Sequence, residues 1–292
     1  MLKFSTKAIA VSAFCAAMVV SAAPSQAGFF DFLKFGSKKN DQALSPDLGR
    51  SDEQQVASSY NTGLDYLSRG YYKGAAKSFG DVERLYPYSK WATKAILMQA
   101  FAFYQANQYS DSIDACNRFI TLHPGHENID YAYYMVALSQ YEQINDVTRD
   151  QKPTQDALDA LEEVQRRFPG SRYAADAGQK ALLARDHLAG KEMDVGRYYY
   201  KHGDWLAGIN RFKTVITTYQ NTSQAPEALY RLSEGYMALG IRSEAQTAAA
   251  VLGANFPRST WYRDAYQLVS SNGTAPVGSS ESWIAKAFHM AF

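Results

Sequence analysis

Tyr86-Pro-Tyr-Ser-Lys-Trp-Ala-Thr-Lys-Ala95 has a form that recurs twice more in the chain, at residues 168–177 (Phe-Pro-Gly-Ser-Arg-Tyr-Ala-Ala-Asp-Ala) and at residues 256–265 (Phe-Pro-Arg-Ser-Thr-Trp-Tyr-Arg-Asp-Ala). Each copy places an aromatic residue before a proline and a serine two residues after it. Proline cannot continue a helix, and serine can cap the next helix by accepting a bond from a backbone N–H. Each copy therefore predicts a corner between two helices.

A second spacing lies upstream of these corners. Ala75, Phe79 and Pro87 follow Gly63 after 12, 16 and 24 residues. The same offsets recur at Gly196, Gly208, Phe212 and Gln220, and at Ala100, Ser112, Cys116 and Pro124. Small residues at the first two places allow paired helices to cross closely, and the third place is an apolar knob. This is the 34-residue tetratricopeptide pattern. It predicts an all-α tetratricopeptide-repeat solenoid of about five helix pairs.

The third pair is longer than the others, because 32 residues separate Ala137 from Pro169 where the pattern requires 24. The extra residues include the polar run from Asn145 to Lys152, which predicts an inter-helix loop of the kind that often carries interactions. The helix pairs are expected at 52–86, 89–123, 127–168, 190–219 and 224–256, with a linking helix at 171–189 and a capping helix at 259–269.

The ends of the chain are irregular. Residues 1–27 have the form of a signal peptide: Lys3 and Lys7 precede the apolar run Ala8–Val20, which is too short to span a bilayer comfortably, and Ser25-Gln-Ala27 suits cleavage. Residues 28–51 are expected to form a flexible linker. Residues 271–292 are expected to form a second linker and a small amphipathic tail helix. The tail could contact the membrane or a partner, and the alternative is a disordered terminus.

Composition argues for a binding protein. The net charge of +1 gives no electrostatic basis for binding nucleic acid. No catalytic constellation, phosphate loop or dinucleotide fingerprint is found, and the H-x-x-H formed by His123 and His126 lacks the further ligands that zinc requires. We therefore expect no enzyme activity, no cofactor and no metal.

The first helix of each pair lines the inner curve in this type of repeat. Counting positions from the small anchor residues predicts a peptide groove that favours apolar and aromatic side chains. Its candidate residues are Tyr60, Leu64, Lys94, Phe101, Tyr104, Tyr131, Tyr134 and Tyr141. The alternative is that many of them belong to the core, because a change of register by one residue moves half of them inside.

Three blocks resemble the BamD family: residues 118–135 (Arg-Phe-Ile-Thr-Leu-His-Pro-Gly-His-Glu-Asn-Ile-Asp-Tyr-Ala-Tyr-Tyr-Met), Thr148-Arg-Asp150 and residues 195–212 (Val-Gly-Arg-Tyr-Tyr-Tyr-Lys-His-Gly-Asp-Trp-Leu-Ala-Gly-Ile-Asn-Arg-Phe). The resemblance covers about residues 55–268. It implies a scaffold of the outer-membrane β-barrel assembly complex at the periplasmic face of the outer membrane. Repeats 1–3 (52–168) would receive unfolded outer-membrane protein segments. Repeats 4–5 with their linking and capping helices (169–270) would bind the periplasmic domains of BamA. Other assembly-complex subunits and the outer-membrane surface would be further partners.

The resemblance also implies roles for particular residues. Asn210 and Arg211 match an element that contacts BamA, although Arg211 could equally be a solvated surface charge. Asn128, Ile129, Asp130 and Tyr131 match a helix-start signature, for which Asn128 and Asp130 suit capping and dipole matching. The sequence departs from the family at its lipid anchor. Cys15 follows Phe14 in the middle of the apolar run, so cleavage after Ala27 fits better than lipidation of Cys15.

A Tol-associated periplasmic repeat protein that coordinates envelope constriction is the alternative function. That class carries an N-terminal coiled coil before about three repeats. Residues 28–51 contain no heptads, which favours the assembly scaffold.

Overall fold

A computed structural model describes residues 50–290, with side chains from Asp52 onward. The expected signal segment, Cys15 and nearly all of the N-terminal linker lie outside these residues. The described part contains twelve helices and no strand. The helices are α1 Arg50–Ser68, α2 Tyr72–Leu85, α3 Lys90–Gln105, α4 Tyr109–Leu122, α5 Ile129–Tyr141, α6 Lys152–Arg167, α7 Ala174–Lys201, α8 Trp205–Thr218, α9 Ala225–Ala238, α10 Arg242–Asn255, α11 Thr260–Ser271 and α12 Trp283–Ala287.

The first ten helices form five consecutive pairs, which confirms the all-α repeat fold. Each helix packs on the next along the chain, and α1, α3, α5 and α7 also contact one another in series. The turns within three of the pairs require a positive φ, which is +74° at Gly70, +79° at Gly203 and +75° at Gly240. Glycine adopts this conformation without a Cβ clash. In the second pair Asn107 takes the same role with a φ of 58°.

The anchor residues of the repeat pattern bring paired helices into close contact. Phe79 and Phe212 are fully buried. A Cβ added at Gly63 would lie 2.7 Å from the ring of Phe79, and one added at Gly196 would lie 2.5 Å from the ring of Phe212. Only glycine leaves room for these rings, so the recurring glycine and phenylalanine form one packing unit in the first and fourth pairs.

Two of the three predicted serine caps are present. Ser89 Oγ accepts a bond of 3.1 Å from Ala92 N at the start of α3, and Ser259 Oγ accepts one of 3.2 Å from Trp261 N at the start of α11. Ser171 does not cap α7. Its hydroxyl donates to Asp130 Oδ2 at 2.6 Å and accepts from Tyr173 N. The corner at residues 168–171 is thus bonded to the start of α5.

The predicted break between a linking helix and the fourth pair is wrong. Residues 174–201 form the single 28-residue helix α7. The segment contains isolated glycines, among them Gly190 directly after residue 189, but no proline. An isolated glycine in a helix costs only about 1 kcal/mol relative to alanine, which the packing of α7 on its neighbours outweighs.

The C-terminal tail packs against its own repeats. Ile284 and Ala285 in α12 are fully buried in the core of the last two pairs. Trp283 Nε1 donates to Tyr236 Oη at 3.0 Å, and Ser282 Oγ donates to Glu244 at 2.6 Å. The apolar side of α12 therefore packs against the protein's own last two pairs, with Trp283 and Phe288 partly buried.

Candidate partner-binding surfaces

The predicted groove residues lie on the face formed by α1, α3, α5 and the first half of α7, which we call the first-helix face. Four of them are core residues, with between 6% and 9% of their surface exposed: Tyr60, Tyr104, Tyr131 and Tyr134. The other four are half-buried: Leu64, Lys94, Phe101 and Tyr141. Burial favours the core alternative for the first set. A role in peptide binding stays a prediction for all eight.

Hydrogen bonds to carboxylates hold the buried tyrosines in place. Tyr104 Oη donates to Glu142 Oε1 at 3.0 Å, and Tyr134 Oη donates to Asp176 Oδ2 at 2.5 Å. Lys180 Nζ donates to the same carboxylate at 2.8 Å and lies 6.0 Å from the ring centroid of Tyr141. These bonds connect α3 to the end of α5, and α5 to α7. They fix the orientation of the rings on the first-helix face.

The tyrosine hydroxyls remain protonated donors over a wide pH range. Burial raises the pKa of Tyr60 to about 12. Burial also raises the pKa of Tyr134 well above its ordinary value, and the hydrogen bond to Asp176 raises it further. The same two causes, with Glu142 as the carboxylate, raise the pKa of Tyr104. Removing a proton from Tyr104 or Tyr134 would place a buried phenolate beside a carboxylate, which low-dielectric surroundings disfavour.

The helix-start signature works through Asp130 and Tyr131. Asp130 Oδ1 accepts from Tyr131 N at 2.8 Å, its Oδ2 accepts from Ser171, and the Tyr131 ring lies 5.5 Å from that of Tyr173. The expected cap from Asn128 is wrong. Asn128 occupies the capping position, but its side chain accepts no capping bond, and its backbone N–H donates to His126 Nδ1 at 3.1 Å.

Asn210 and Arg211 are exposed on α8. The Arg211 guanidinium lies 3.3 Å from Glu192 Oε2 on α7. Lys213, on the same helix, lies 5.1 Å from the ring centroid of Trp283 in the tail. The segment Asn210–Lys213 therefore presents polar and cationic groups on the second helix of the fourth pair. Their contact with a partner stays a prediction.

The stretched loop of the third pair is held by its own hydrogen bonds and by α7. Asp146 Oδ1 accepts from the backbone N and the hydroxyl of Thr148 at 2.9 and 2.7 Å. His187 Nε2 lies 2.7 Å from Asn145 O, and Lys191 Nζ donates to Thr148 O at 3.2 Å. The loop is thus fixed against the middle turns of α7.

Sequence reasoning missed the residues that organise the first-helix face. Asp176 and Lys180 were not among the predicted residues, although their spacing of four on a helix is typical of an ion pair. His123 and His126 pack against the Phe119 ring, with centroid distances of 5.4 and 5.2 Å. Among residues 50–290 no group of three or more His, Cys, Asp or Glu side chains could hold a metal ion, and no helix is long and apolar enough to cross a membrane.

The chain is a helical-repeat protein of the tetratricopeptide type. This class is defined by its paired helices, its corner motifs and the contacts between successive first helices. Residues 52–252 match the family model YfiO, described as an outer membrane lipoprotein. The chain belongs to the BamD family of outer membrane protein assembly factors.

Its relatives include the assembly factor BamD of Caulobacter vibrioides, 48% identical over 225 residues that cover 77% of this chain and 74% of the relative. BamD of Rickettsia prowazekii is 46% identical over 216 residues, covering 74% and 86% of the two chains. Among solved structures, a thermophilic tetratricopeptide protein of Thermus thermophilus is 16% identical with a TM-score of 0.32, over 74% of this chain and 99% of that one.

Proposed function

We propose that this protein is a non-catalytic scaffold of the β-barrel assembly complex at the periplasmic face of the outer membrane. It binds the periplasmic domains of BamA through the α8 surface around Asn210 and Arg211. It receives unfolded outer-membrane protein segments on the first-helix face. Membership of the assembly-factor family supports the general role, and the chemistry of the two surfaces supports the division between them.

The exposed ion pair of Arg211 is the observation that carries the BamA-binding part of the proposal. Its guanidinium is 3.3 Å from Glu192, and nearly half of the Arg211 side chain is exposed. An exposed pair of this kind contributes between about 0 and 1 kcal/mol. A carboxylate from a partner can therefore replace or join Glu192 with little loss of stability, and arginine binds carboxylates in a fixed bidentate geometry.

The first-helix face supports the second part of the proposal. Its half-buried Leu64, Phe101 and Tyr141 present apolar and aromatic surface, and their buried neighbours are held by the carboxylate bonds described above. Barrel strands alternate apolar and polar side chains and carry aromatic girdles. A rigid apolar face is suited to bind such a segment before it folds.

A pull-down with the purified periplasmic domains of BamA tests the proposal. The wild-type mature protein is expected to retain BamA. Arg211→Glu is expected to retain much less, because the new carboxylate and its neighbour Glu192 would both repel the partner carboxylate that Arg211 is proposed to bind. Arg166→Glu is the matched control, since Arg166 is also exposed but lies on α6. No retention by the wild type, or equal loss in the two variants, would contradict the assignment.

The intact mass of the mature protein tests how the chain is anchored. A mass that begins at Gly28 and carries no acyl group is expected from cleavage after Ala27. A mass that begins at Cys15 with added lipid would show that the chain is a lipoprotein like the family description and that the expected cleavage site is not used.

A further inference from the structure

An open cavity of about 520 Å³ lies where the stretched loop meets α7. The end of α5 forms one side of it, the loop forms another, and one face of α7 forms the third. The apolar residues that line it are Ile144, Val147, Leu183 and Ala184. Gly190 lines it beside Val147, and Gln224 lines it from the start of α9. Tyr141 lines the cavity as well, so the cavity is continuous with the first-helix face.

The polar groups at the rim already have partners within the protein. Glu142 accepts from Tyr104, and Asp186 accepts from the backbone N and hydroxyl of Ser223 at 2.7 and 2.6 Å. The ring of His187 is bonded to Asn145 O. The lining exposes more apolar than polar surface, and an apolar group that enters the cavity needs to displace only water.

The loop wall of the cavity is held in place before any ligand binds. Gln151 Nε2 lies between 3.0 and 3.3 Å from three loop carbonyl oxygens, at Asp146, Val147 and Arg149, which share its two N–H donors. Lys191 and His187 bond the loop to α7 from the other side. A pocket that is already formed binds its ligand without the entropic cost of ordering a loop.

We propose that this cavity is a specificity pocket for one large apolar side chain, aromatic or branched aliphatic, of an extended polypeptide that lies on the first-helix face. The inference rests on the proposed receipt of unfolded segments. It adds the place at which one side chain of such a segment is recognised. The volume suits a bulky side chain together with adjacent main chain, because ligand pockets fall between about 300 and 1,000 Å³. Glu142 and Asp186 at the rim disfavour an acidic side chain at the same position.

Two neighbouring leucines provide a matched test. Leu183 lines the cavity and is 60% exposed, whereas Leu182 is 49% exposed and does not line it. The probe is a fluorescein-labelled ten-residue peptide of alternating threonine and serine with one central phenylalanine. Two control peptides carry alanine or aspartate in place of the phenylalanine. Fluorescence anisotropy measures the Kd of each for the mature protein.

The wild type is expected to bind the phenylalanine peptide at least about tenfold more tightly than the alanine or aspartate peptide, as is typical of one large group in an apolar pocket. Leu183→Glu is expected to remove this preference, and Leu182→Glu is expected to keep it. Gly190→Leu places a side chain in the cavity from α7 while Leu183 remains. This variant is expected to bind the phenylalanine peptide more weakly, as Leu183→Glu does. Unchanged thermal melts show that the variants fold.

Equal affinity of the wild type for all three peptides, or equal behaviour of the two glutamate variants, would overturn the pocket and leave general segment binding intact. No binding of any peptide to the wild type would overturn both the pocket and the proposed receipt of segments. The BamA pull-down is repeated with the Leu183, Leu182 and Gly190 variants. If all of them retain BamA, a change in peptide binding is not due to loss of the α8 surface.

Discussion

The first helices of the N-terminal and C-terminal pairs carry different chemistry on the same scaffold. On α3 and α5 the polar contacts are tyrosine hydroxyls that donate to Glu142 and Asp176. Between α7 and α9 a carboxylate is bonded by arginines instead. Glu227 accepts from Arg197 at 3.1 Å and from Arg231 at 3.3 Å.

The C-terminal half has two further features. The Tyr230 and Trp261 rings stack at 5.3 Å, with the Arg231 guanidinium 5.8 Å from the tryptophan ring. The tail helix α12 covers apolar side chains of α8 and α10. In a repeat protein the anchor positions set the packing and the face positions are free to vary. The N-terminal first helices are linked by hydrogen bonds from tyrosine to carboxylate, and α7 and α9 are linked by an ion pair.

Removal of a buried tyrosine is expected to have the largest effect. Tyr134→Ala should lower the free energy of unfolding by about 3–5 kcal/mol, because it empties a core position and leaves Asp176 without one donor. Tyr141→Ala should have a much smaller effect, since Tyr141 is half-buried. Urea unfolding followed by circular dichroism gives both values. Equal effects of the two substitutions would show that the core assignment of Tyr134 is wrong.

The tail helix provides the next test, on the C-terminal side. Ile284→Ala should reduce stability by about 2–5 kcal/mol, as is typical of a fully buried isoleucine. In hydrogen exchange the amides of α8 and α10 should lose protection, while those of α3 and α5 should not. Lys286→Ala, an exposed position in the same helix, is the control and should leave exchange unchanged. Loss of protection throughout the chain would contradict a local role for the tail.

Two glycines on α7 are expected to respond in opposite directions. Gly196→Ala should lower stability by roughly 1–3 kcal/mol, because the new Cβ would lie 2.5 Å from the Phe212 ring. Gly190→Ala should raise stability by up to about 1 kcal/mol, since its Cβ would meet Val147 at an ordinary 3.6 Å and alanine favours helix. Thermal melts of the pair compare them directly. Similar shifts in the same direction would show that ring packing does not distinguish the two sites.

The smallest expected effect concerns the ion pairs of the C-terminal face. Glu227→Gln should lower stability by about 1 kcal/mol at low salt, and less at high salt, because two partly buried guanidiniums lose a charged partner. Asp65→Asn breaks the exposed pair with Arg69 and should change stability by no more than a few tenths of a kcal/mol. Urea titrations at low and high ionic strength measure both. An effect of Glu227→Gln that does not depend on salt would contradict an ionic role.

The sequence predicted the parts of the fold that depend on local chemistry. The corners after Tyr86, Phe168 and Phe256 follow from proline, and the glycine–phenylalanine units follow from a fixed spacing. The continuity of α7 was not predicted, because whether an isolated glycine ends a helix depends on packing. The position of α12 was not predicted, because five residues with one apolar side do not identify the surface that they cover.

The candidate surfaces were predicted in position but not in exposure. The counting placed Tyr104, Tyr131 and Tyr134 on the first helices, where they are found. One residue of register decides whether such a side chain points outward or into the core, and only the packing of α5 against α7 settles it. Asp176 and Glu142 lie far from their tyrosines in sequence, so no local pattern could connect them.

The uninterrupted course of α7 has a consequence for handing a client from one surface to another. Leu183 beside the cavity and Glu192 beside Arg211 are nine residues apart on this helix, which is about 14 Å along its axis. A strand of five residues is about as long. Nine residues are also about two and a half turns, so the two positions face opposite sides of α7. Under the proposed function, a client segment would have to pass around the helix as well as along it to reach a partner at Arg211.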